Sequence, residues 1–198
     1  VLFLDRQTRL RCVIVPEPLY EISHAAHTWL ARPYHQITRA VLGDDTGDTS
    51  DQPLYLSRRL LSSRQRPIIG EFELEEVCRE NGFLVAHPET MSLEDQIRLV
   101  NRHREIFTSA GSAAYLLLFA LEPGRLHTLT TGIPFADYFM IPKVAGIPAS
   151  FVNCLAGGNR PSKHYLPQMV EMDVFADYLK SQGMLQRTLR SSLTIQKA

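Results

Sequence analysis

The residues best suited to chemistry form a glycine-serine turn whose main chain could hold an anion. Gly111 and Ser112 stand between a β-rich run and an apolar helix, within residues 105–124. A turn from a strand into a helix leaves main-chain N–H groups unpaired at the positive end of the helix dipole, which suits a phosphate. One glycine is no phosphate fingerprint, however, and a plain tight turn explains the same residues.

A second candidate site is a serine-rich loop after a short strand, and it contains four arginines: Arg58, Arg59, Arg64 and Arg66. Such a charge run most often belongs to a solvated loop. Its position after a strand end, like that of Gly111, also allows a role in anion binding.

The histidines and cysteines give weaker indications of a functional site. Three histidines lie on one predicted helix without a carboxylate or cysteine in register, so a metal site is not indicated: His24, His27 and His35. His87, before Pro88, is either structural or a general base. Three cysteines lie far apart without metal or redox spacing and are predicted to be buried, inert thiols: Cys12, Cys78 and Cys154.

Composition narrows the class of protein. The 198 residues include 21 basic and 21 acidic side chains, and 44% are apolar, which is typical of a globular protein and lacks the basic excess of a nucleic-acid binder. The longest apolar run, residues 113–121, is far shorter than the roughly 20 residues of a membrane span. A cytoplasmic protein in a reducing compartment is predicted. The apolar opening VLFL lacks a signal-peptide pattern, and we expect a piece of a longer chain.

Strands and helices alternate about five times. Strands are predicted in residues 11–15, 53–58, 83–86, 105–109, 125–130 and 149–152, and helices in residues 24–42, 71–81, 92–102, 112–121, 133–145 and 174–185. This order predicts an α/β fold with a Rossmann-like parallel sheet and helices on both faces, whose ligands bind at the carboxyl ends of the strands. Residues 43–53 contain no apolar side chain and form the best internal boundary. We therefore predict a partial region with one strand and one helix in residues 1–52, and the Rossmann-like domain in residues 53–198.

The order of several motifs resembles glycosyltransferase family 61. They are PLYLSRR with its arginines, GEFELEEV, NGFLVAHPETMSLEDQIRLV, REIFTSAGSAAYLLLFALEPG and FADYFMIPKVAGI, with a looser likeness at RCVIVP and HTWLARPY. The likeness covers roughly residues 54–152. It implies the carboxyl-terminal, donor-binding half of a two-Rossmann (GT-B) glycosyltransferase, inverting and independent of metal and cofactor. In bacteria, family members are associated with capsular and cell-surface polysaccharide synthesis.

The resemblance also implies partners and site residues. The partners would be a nucleotide-sugar donor, bound by this domain, and a glycan acceptor; nucleic acid is not expected, and a homo-oligomer is compatible with the sequence. Matched motif by motif, with Glu71 as the start of a helix, the implied site residues are Ser57, Arg58, Glu89, Ser92, Gln96, Gly111, Ser112 and Ala113. Arg64, Ser109 and Tyr138 are further donor-binding candidates, and Tyr138, near a strand end, could stack on a base or a sugar or pack in the core. Guanidinium groups and helix N-termini can stabilise a departing diphosphate without a metal, and no Asp-x-Asp motif is present. The catalytic base, the sugar and the nucleotide are not identified.

Three departures from the family pattern leave a second hypothesis open. Gly70 replaces an asparagine, Tyr115 and Leu116 replace a His-Asn pair, and an acidic residue is missing near His127. A degenerate, non-catalytic module that helps to assemble a polysaccharide machine would carry such changes. A nicotinamide-dependent enzyme is a weaker alternative, because no GxGxxG follows a strand.

Overall fold

The computed structural model describes residues 18–22, 24–43, 48–61, 67–122, 124–157 and 167–186. The predicted strand at residues 11–15 with Cys12, the donor-binding candidate Arg64 and the neighbouring Arg66 lie outside these residues.

The described residues form short strands and helices in alternation. The strands are β1 (Tyr20–Glu21), β2 (Ala25–Ala26), β3 (Leu54–Leu56), β4 (Ile68–Ile69), β5 (Leu84–Ala86), β6 (Glu105–Ser109), β7 (Arg125–Leu129), β8 (Ala149–Val152), β9 (Leu155–Gly157) and β10 (Gln168–Val170). The α-helices are α1 (Ala31–Leu42), α2 (Glu71–Glu80), α3 (Leu93–Arg102), α4 (Asp137–Ala145) and α5 (Met172–Ser181). Two 3-10 helices span Pro88–Thr90 and Ser112–Phe119.

The centre of the fold is a five-stranded sheet in the order β5-β3-β6-β7-β8. Every neighbouring pair is parallel. The chain adds β5 on one side of β3 and then returns to add β6 on the other side, so the strand order reverses between β3 and β6. The predicted α/β fold with a Rossmann-like parallel sheet is thus confirmed.

Each face of the sheet is covered by helices, because alternate side chains of a strand point to opposite faces. One face carries Tyr55 and Phe107, which pack with Leu74 of α2 and Phe175 of α5. The other face carries Leu54, Ile106 and Leu126, which pack with Ile97 of α3 and Leu117 of the second 3-10 helix. The near-continuous apolar runs of these strands reflect burial on both faces.

The structure corrects several predicted elements. The helix predicted over residues 24–42 begins only at Ala31, since Ala25–Ala26 pairs with Tyr20–Glu21 as a small hairpin. The helix predicted over residues 133–145 begins at Asp137. Leu93, the first residue of α3, is 53% exposed, whereas Ile97 and Val100 of the same helix are buried. The sheet β4-β10-β9 was not predicted, because strands of two or three residues carry no periodicity.

The predicted internal boundary lies against the body of the fold. Ser50 donates its N–H to the carbonyl of Arg102 (2.6 Å), and Nδ1 of His103 lies 2.8 Å from the carbonyl of Gln52. From α1, the Thr38 hydroxyl donates to the Phe119 carbonyl (2.8 Å). The division at residues 52 and 53 stays a prediction. Of the helices described, none has both the length and the apolarity that crossing a membrane requires.

His127 is the most enclosed ionisable group of β7. Its Nε2 lies 2.6 Å from a carboxylate oxygen of Glu105, and its Nδ1 lies 2.7 Å from the Tyr178 hydroxyl. The ring stacks on Phe107 at 4.0 Å. One neutral tautomer satisfies both contacts, with Nε2–H donating to Glu105 and Nδ1 accepting from Tyr178. Burial lowers the pKa of His127, and Arg125 adds to this effect, whereas Glu105 opposes it.

This histidine predicts a pH dependence of stability. Unfolded His127 takes up a proton near its ordinary pKa of about 6.5, whereas the folded protein resists protonation. Its contribution to the free energy of unfolding is therefore complete above that pH and is lost as the pH falls towards the lowered folded pKa. Urea unfolding of the wild type and His127→Gln at pH values of about 7.5 and 5.5 measures it. The variant should lose less stability on acidification than the wild type, and an equal loss would contradict the assignment.

Candidate active site

The candidate site lies at the reversal point of the strand order. In open parallel sheets, ligands bind in the crevice outside the carboxyl ends of the two strands at which the order reverses. Here these strands are β3 and β6, which pair in parallel with Leu54 opposite Ile106. Residues 57–60 follow β3, and residues 110–113 follow β6. The two stretches with anion-binding potential in the sequence are thus neighbours across one crevice.

Arg58 and Gly111 face each other in this crevice. A Cβ atom on Gly111 would lie 3.4 Å from Nη1 of Arg58, at the limit of ordinary contact. Gly111 has an extended main chain with φ 176°, which any residue adopts. Neither the main-chain conformation nor this distance requires a glycine, but the missing side chain leaves the main chain of the turn open towards the guanidinium. We call this space, between the Arg58 side chain and residues 111–113, the Arg58 cleft.

The turn side of the cleft presents main-chain donors. The first hydrogen bond of the 3-10 helix runs from the Ala114 N–H to the Gly111 carbonyl (3.2 Å). The N–H groups of Ser112 and Ala113 precede it and have no partner within the helix. Ser112 is exposed, and Gly111 and Ala113 are half-buried. The predicted apolar helix is thus a 3-10 helix of eight residues whose first turn opens towards solvent.

Two buried carboxylates of α2 lie on the opposite side of the cleft, and Glu71 binds the main chain of Arg58. Glu71 in the first turn of α2 is 3% exposed, and its Oε1 accepts hydrogen bonds from the Arg58 N–H (2.9 Å) and the Tyr55 hydroxyl (3.1 Å). Burial raises the pKa of Glu71, and these donors, together with the Arg58 charge, oppose the rise. The main chain of Arg58 is therefore fixed from inside the protein.

Glu75, one turn further along α2, is fully buried. It accepts from the Ser57 hydroxyl (2.8 Å), from Nε of Arg59 (2.9 Å) and from Nη2 of Arg79 (2.9 Å). Burial alone would raise the pKa of Glu75, but these hydrogen bonds outweigh it and lower the pKa. Arg59 lies over the ring of Phe72, 5.6 Å from its centroid, so its guanidinium is bound to α2 while that of Arg58 approaches Gly111.

Three donor-binding candidates form hydrogen bonds to other parts of the protein. The hydroxyl of Ser57, which is 2% exposed, also accepts the Arg59 N–H (3.1 Å). Glu89 accepts the Leu60 N–H (2.9 Å), and the Gln96 amide donates to the carbonyls of Pro88 and Met91 at 2.9 and 3.1 Å. We therefore interpret Ser57, Glu89 and Gln96 as residues that shape the cleft. Sequence motifs do not distinguish such residues from those that touch a ligand.

The remaining candidates lie around the cleft or beyond it. Ser109 is buried at the end of β6. Tyr138, at the start of α4, stacks on Tyr115 with the ring centroids 5.9 Å apart and the planes at 20°. That stack occupies a ring that was predicted to pack on a base, on a sugar or in the core. His127 has both ring nitrogens engaged inside the sheet and lies outside the cleft.

The residue that sequence reasoning missed is Glu75. A signal existed: Glu71 and Glu75 share a helix face with the apolar Leu74 and Cys78, all four of which are buried. Two carboxylates four residues apart on an otherwise apolar face repel each other unless donors surround them. Such a pattern indicates a buried polar network beneath a neighbouring loop.

The main-chain N–H groups of residues 58–60 are all used by Glu71, Ser57 and Glu89. An anion in the cleft would therefore meet the Arg58 guanidinium on one side and the N–H groups of residues 112 and 113 on the other. This arrangement suits a diphosphate, since it combines one charged fork with neutral donors.

Comparison with known protein families identifies a match over more than half of the chain. The family model described as Glycosyltransferase 61 matches residues 4–127. The matched residues include both sides of the Arg58 cleft and end within β7. Residues 135–147, which also resemble that family, lie beyond the match. No curated protein matches the sequence.

A matched pair of serine variants tests the scaffold role of Ser57. Ser57→Ala removes a hydroxyl that serves two buried carboxylates and one main-chain N–H, so we expect a loss of about 1–3 kcal/mol in the free energy of unfolding. Ser112→Ala, at an exposed position, should change it by less than about 0.5 kcal/mol. Urea unfolding followed by circular dichroism measures both, and equal effects of the two variants would contradict the assignment.

Proposed function

The chain belongs to glycosyltransferase family 61, whose model matches residues 4–127, and on that premise we propose that the Arg58 cleft binds the diphosphate of a nucleotide-sugar donor. The observation that carries the proposal is the approach of Arg58 to a glycine turn at the reversal point of the sheet. The enzyme transfers the sugar, with inversion, to a hydroxyl of a glycan acceptor in cell-surface polysaccharide synthesis. It works in the cytoplasm without a metal or cofactor.

In this reaction, the cleft would stabilise the negative charge that develops on the leaving diphosphate. The acceptor hydroxyl gives its proton to a general base as its oxygen attacks the anomeric carbon, the bond from that carbon to the diphosphate oxygen breaks, and the diphosphate leaves with the bonding electrons. Negative charge on the leaving group grows in this step. Arg58 can place two parallel N–H donors on it, and the N–H groups of Ser112 and Ala113 can add neutral donors at the start of the 3-10 helix. Donors that are already oriented stabilise a growing charge without reorganisation.

One departure from the family pattern has a conformational explanation. Gly70, which replaces an asparagine, enters α2 with φ 84° in the left-handed region. Asparagine is one of the few other residues that adopt this region readily. A glycine here keeps the path of the main chain into Glu71, so this replacement supports an intact scaffold.

A second departure favours the second candidate function, a non-catalytic assembly module. Tyr115 and Leu116, which replace a His-Asn pair, pack against the core of the fold, and Tyr115 stacks on Tyr138. These positions therefore offer a ligand less polar contact than the family pattern does. Release of free sugar from a nucleotide-sugar donor by the purified protein would exclude this candidate.

Two neighbouring arginines provide the test of donor binding. Arg58→Ala should weaken binding of a nucleoside diphosphate about 10- to 100-fold, because charge-assisted hydrogen bonds contribute about 1.5–3 kcal/mol. Arg59→Ala should leave affinity within about twofold, since Arg59 binds Glu75 on α2. Calorimetric titration with uridine, guanosine, cytidine and thymidine diphosphates measures both.

Arg59→Ala is the matched control, because it removes the same side chain from the adjacent position of the same loop. Equal affinity of the two variants would contradict the donor-site assignment. So would an absence of binding of all four nucleotides to the wild-type protein.

A further inference from the structure

Glu71 links the interior of the sheet to the edge of the cleft. Its Oε1 accepts a hydrogen bond from the hydroxyl of Tyr55, a fully buried residue of β3. The same oxygen also accepts a hydrogen bond from the Arg58 N–H. The Ser57 hydroxyl lies 3.2 Å from the same oxygen. One atom thus ties a rigid strand to the main chain of the residue that faces Gly111.

The number of donors explains why this position holds a carboxylate. A carboxylate oxygen carries negative charge and accepts several short hydrogen bonds more strongly than an amide oxygen does. A glutamine could place its carbonyl oxygen at the Oε1 position, but this neutral oxygen would accept from the Arg58 N–H and the Tyr55 hydroxyl more weakly than a carboxylate oxygen does. The positive charge of Arg58 is also close enough to favour the ionised form of Glu71 against its burial.

We propose that Glu71 is a positioning residue for the donor diphosphate: it fixes the Arg58 main chain so that the guanidinium faces residues 111–113, and it does not touch the ligand. This inference rests on the proposed function of the Arg58 cleft. Because productive contacts with a phosphate demand a closely held geometry, a loosened Arg58 binds the same ligand more weakly in the same place.

Glu75 provides a control that is matched in almost every respect. It lies on the same helix one turn later, is at least as deeply buried, and accepts several donors. Its arginine partners are Arg59 and Arg79, neither of which is assigned to the cleft. Loss of either carboxylate destabilises the fold, but only loss of the Glu71 carboxylate should reach Arg58.

The experiment is calorimetric titration of inorganic pyrophosphate into wild type, Glu71→Gln, Glu75→Gln and Arg58→Ala, with urea unfolding of each. We expect about tenfold weaker binding for Glu71→Gln, the size of one charge-assisted hydrogen bond. Glu75→Gln should bind within about twofold of wild type despite a comparable loss of stability. At saturation, the amide ¹⁵N shifts of Ser112 and Ala113 in Glu71→Gln should equal those of wild type, because the ligand contacts themselves remain.

The outcomes separate the two proposals. If Arg58→Ala loses binding while Glu71→Gln matches Glu75→Gln, the positioning role is wrong and the donor site stands. If wild type does not bind pyrophosphate, or Arg58→Ala binds it as wild type does, both proposals are overturned. Altered shifts at saturation in Glu71→Gln would show a changed binding mode and contradict the positioning role.

If Glu71→Gln does not fold, a pair of less disruptive variants tests the same inference. Tyr55→Phe removes the hydroxyl that donates to Glu71. Tyr178→Phe is the control: Tyr178 packs against the same apolar cluster as Tyr55, but its hydroxyl contacts His127. Tyr55→Phe should weaken pyrophosphate binding about two- to fivefold, the effect of one ordinary hydrogen bond. Tyr178→Phe should leave it unchanged, and equal affinities of the two variants would overturn the inference.

Discussion

The structure depends on two acidic side chains, Glu71 and Glu75, that are enclosed beneath residues 57–60. Burying a charge is costly unless donors compensate it, and an unpaired buried carboxylate would cost several kcal/mol. Glu71 and Glu75 are compensated by hydroxyl, guanidinium and main-chain donors from β3, α2 and the loop after β3. Residues 57–60, which follow β3, are consequently held by several hydrogen bonds. Arg58 remains directed at Gly111 because its own main chain is one of those donors.

The topology supplies the other half of the arrangement. The order of the strands reverses between β3 and β6, so the loops that follow them diverge to opposite faces and leave a crevice. The β6 loop passes directly into the 3-10 helix Ser112–Phe119, whose first turn presents its N–H groups to that crevice. The two sides of the cleft form for different reasons. The N–H donors are positioned by the burial of apolar strands, whereas Arg58 is positioned by the hydrogen bonds that buried carboxylates require.

Sequence reasoning succeeded where burial leaves a repeated pattern. The strands β3, β5, β6, β7 and β8 are apolar runs between turn residues, and α2 and α3 have clear starts and ends, so the parallel sheet was predictable. The juxtaposition of the loops after β3 and β6 followed from the rule for parallel sheets. The short strands β4, β9 and β10 left no such pattern. The sequence also does not separate the polar residues that bind other parts of the protein from those that face the cleft. The residue type alone does not show which partners a hydroxyl or carboxylate contacts. Ser57 and Gln96 illustrate this limit.

The central claim is that a diphosphate binds between Arg58 and the turn at residues 111–113. A crystal structure of the protein with a bound nucleoside diphosphate tests it most directly. We expect phosphate oxygens within hydrogen-bonding distance of the Arg58 guanidinium and of the N–H groups of Ser112 and Ala113, with Glu71 still bound to the Arg58 main chain. A diphosphate held elsewhere on the protein, or one held by Arg59 after its release from Glu75, would contradict it.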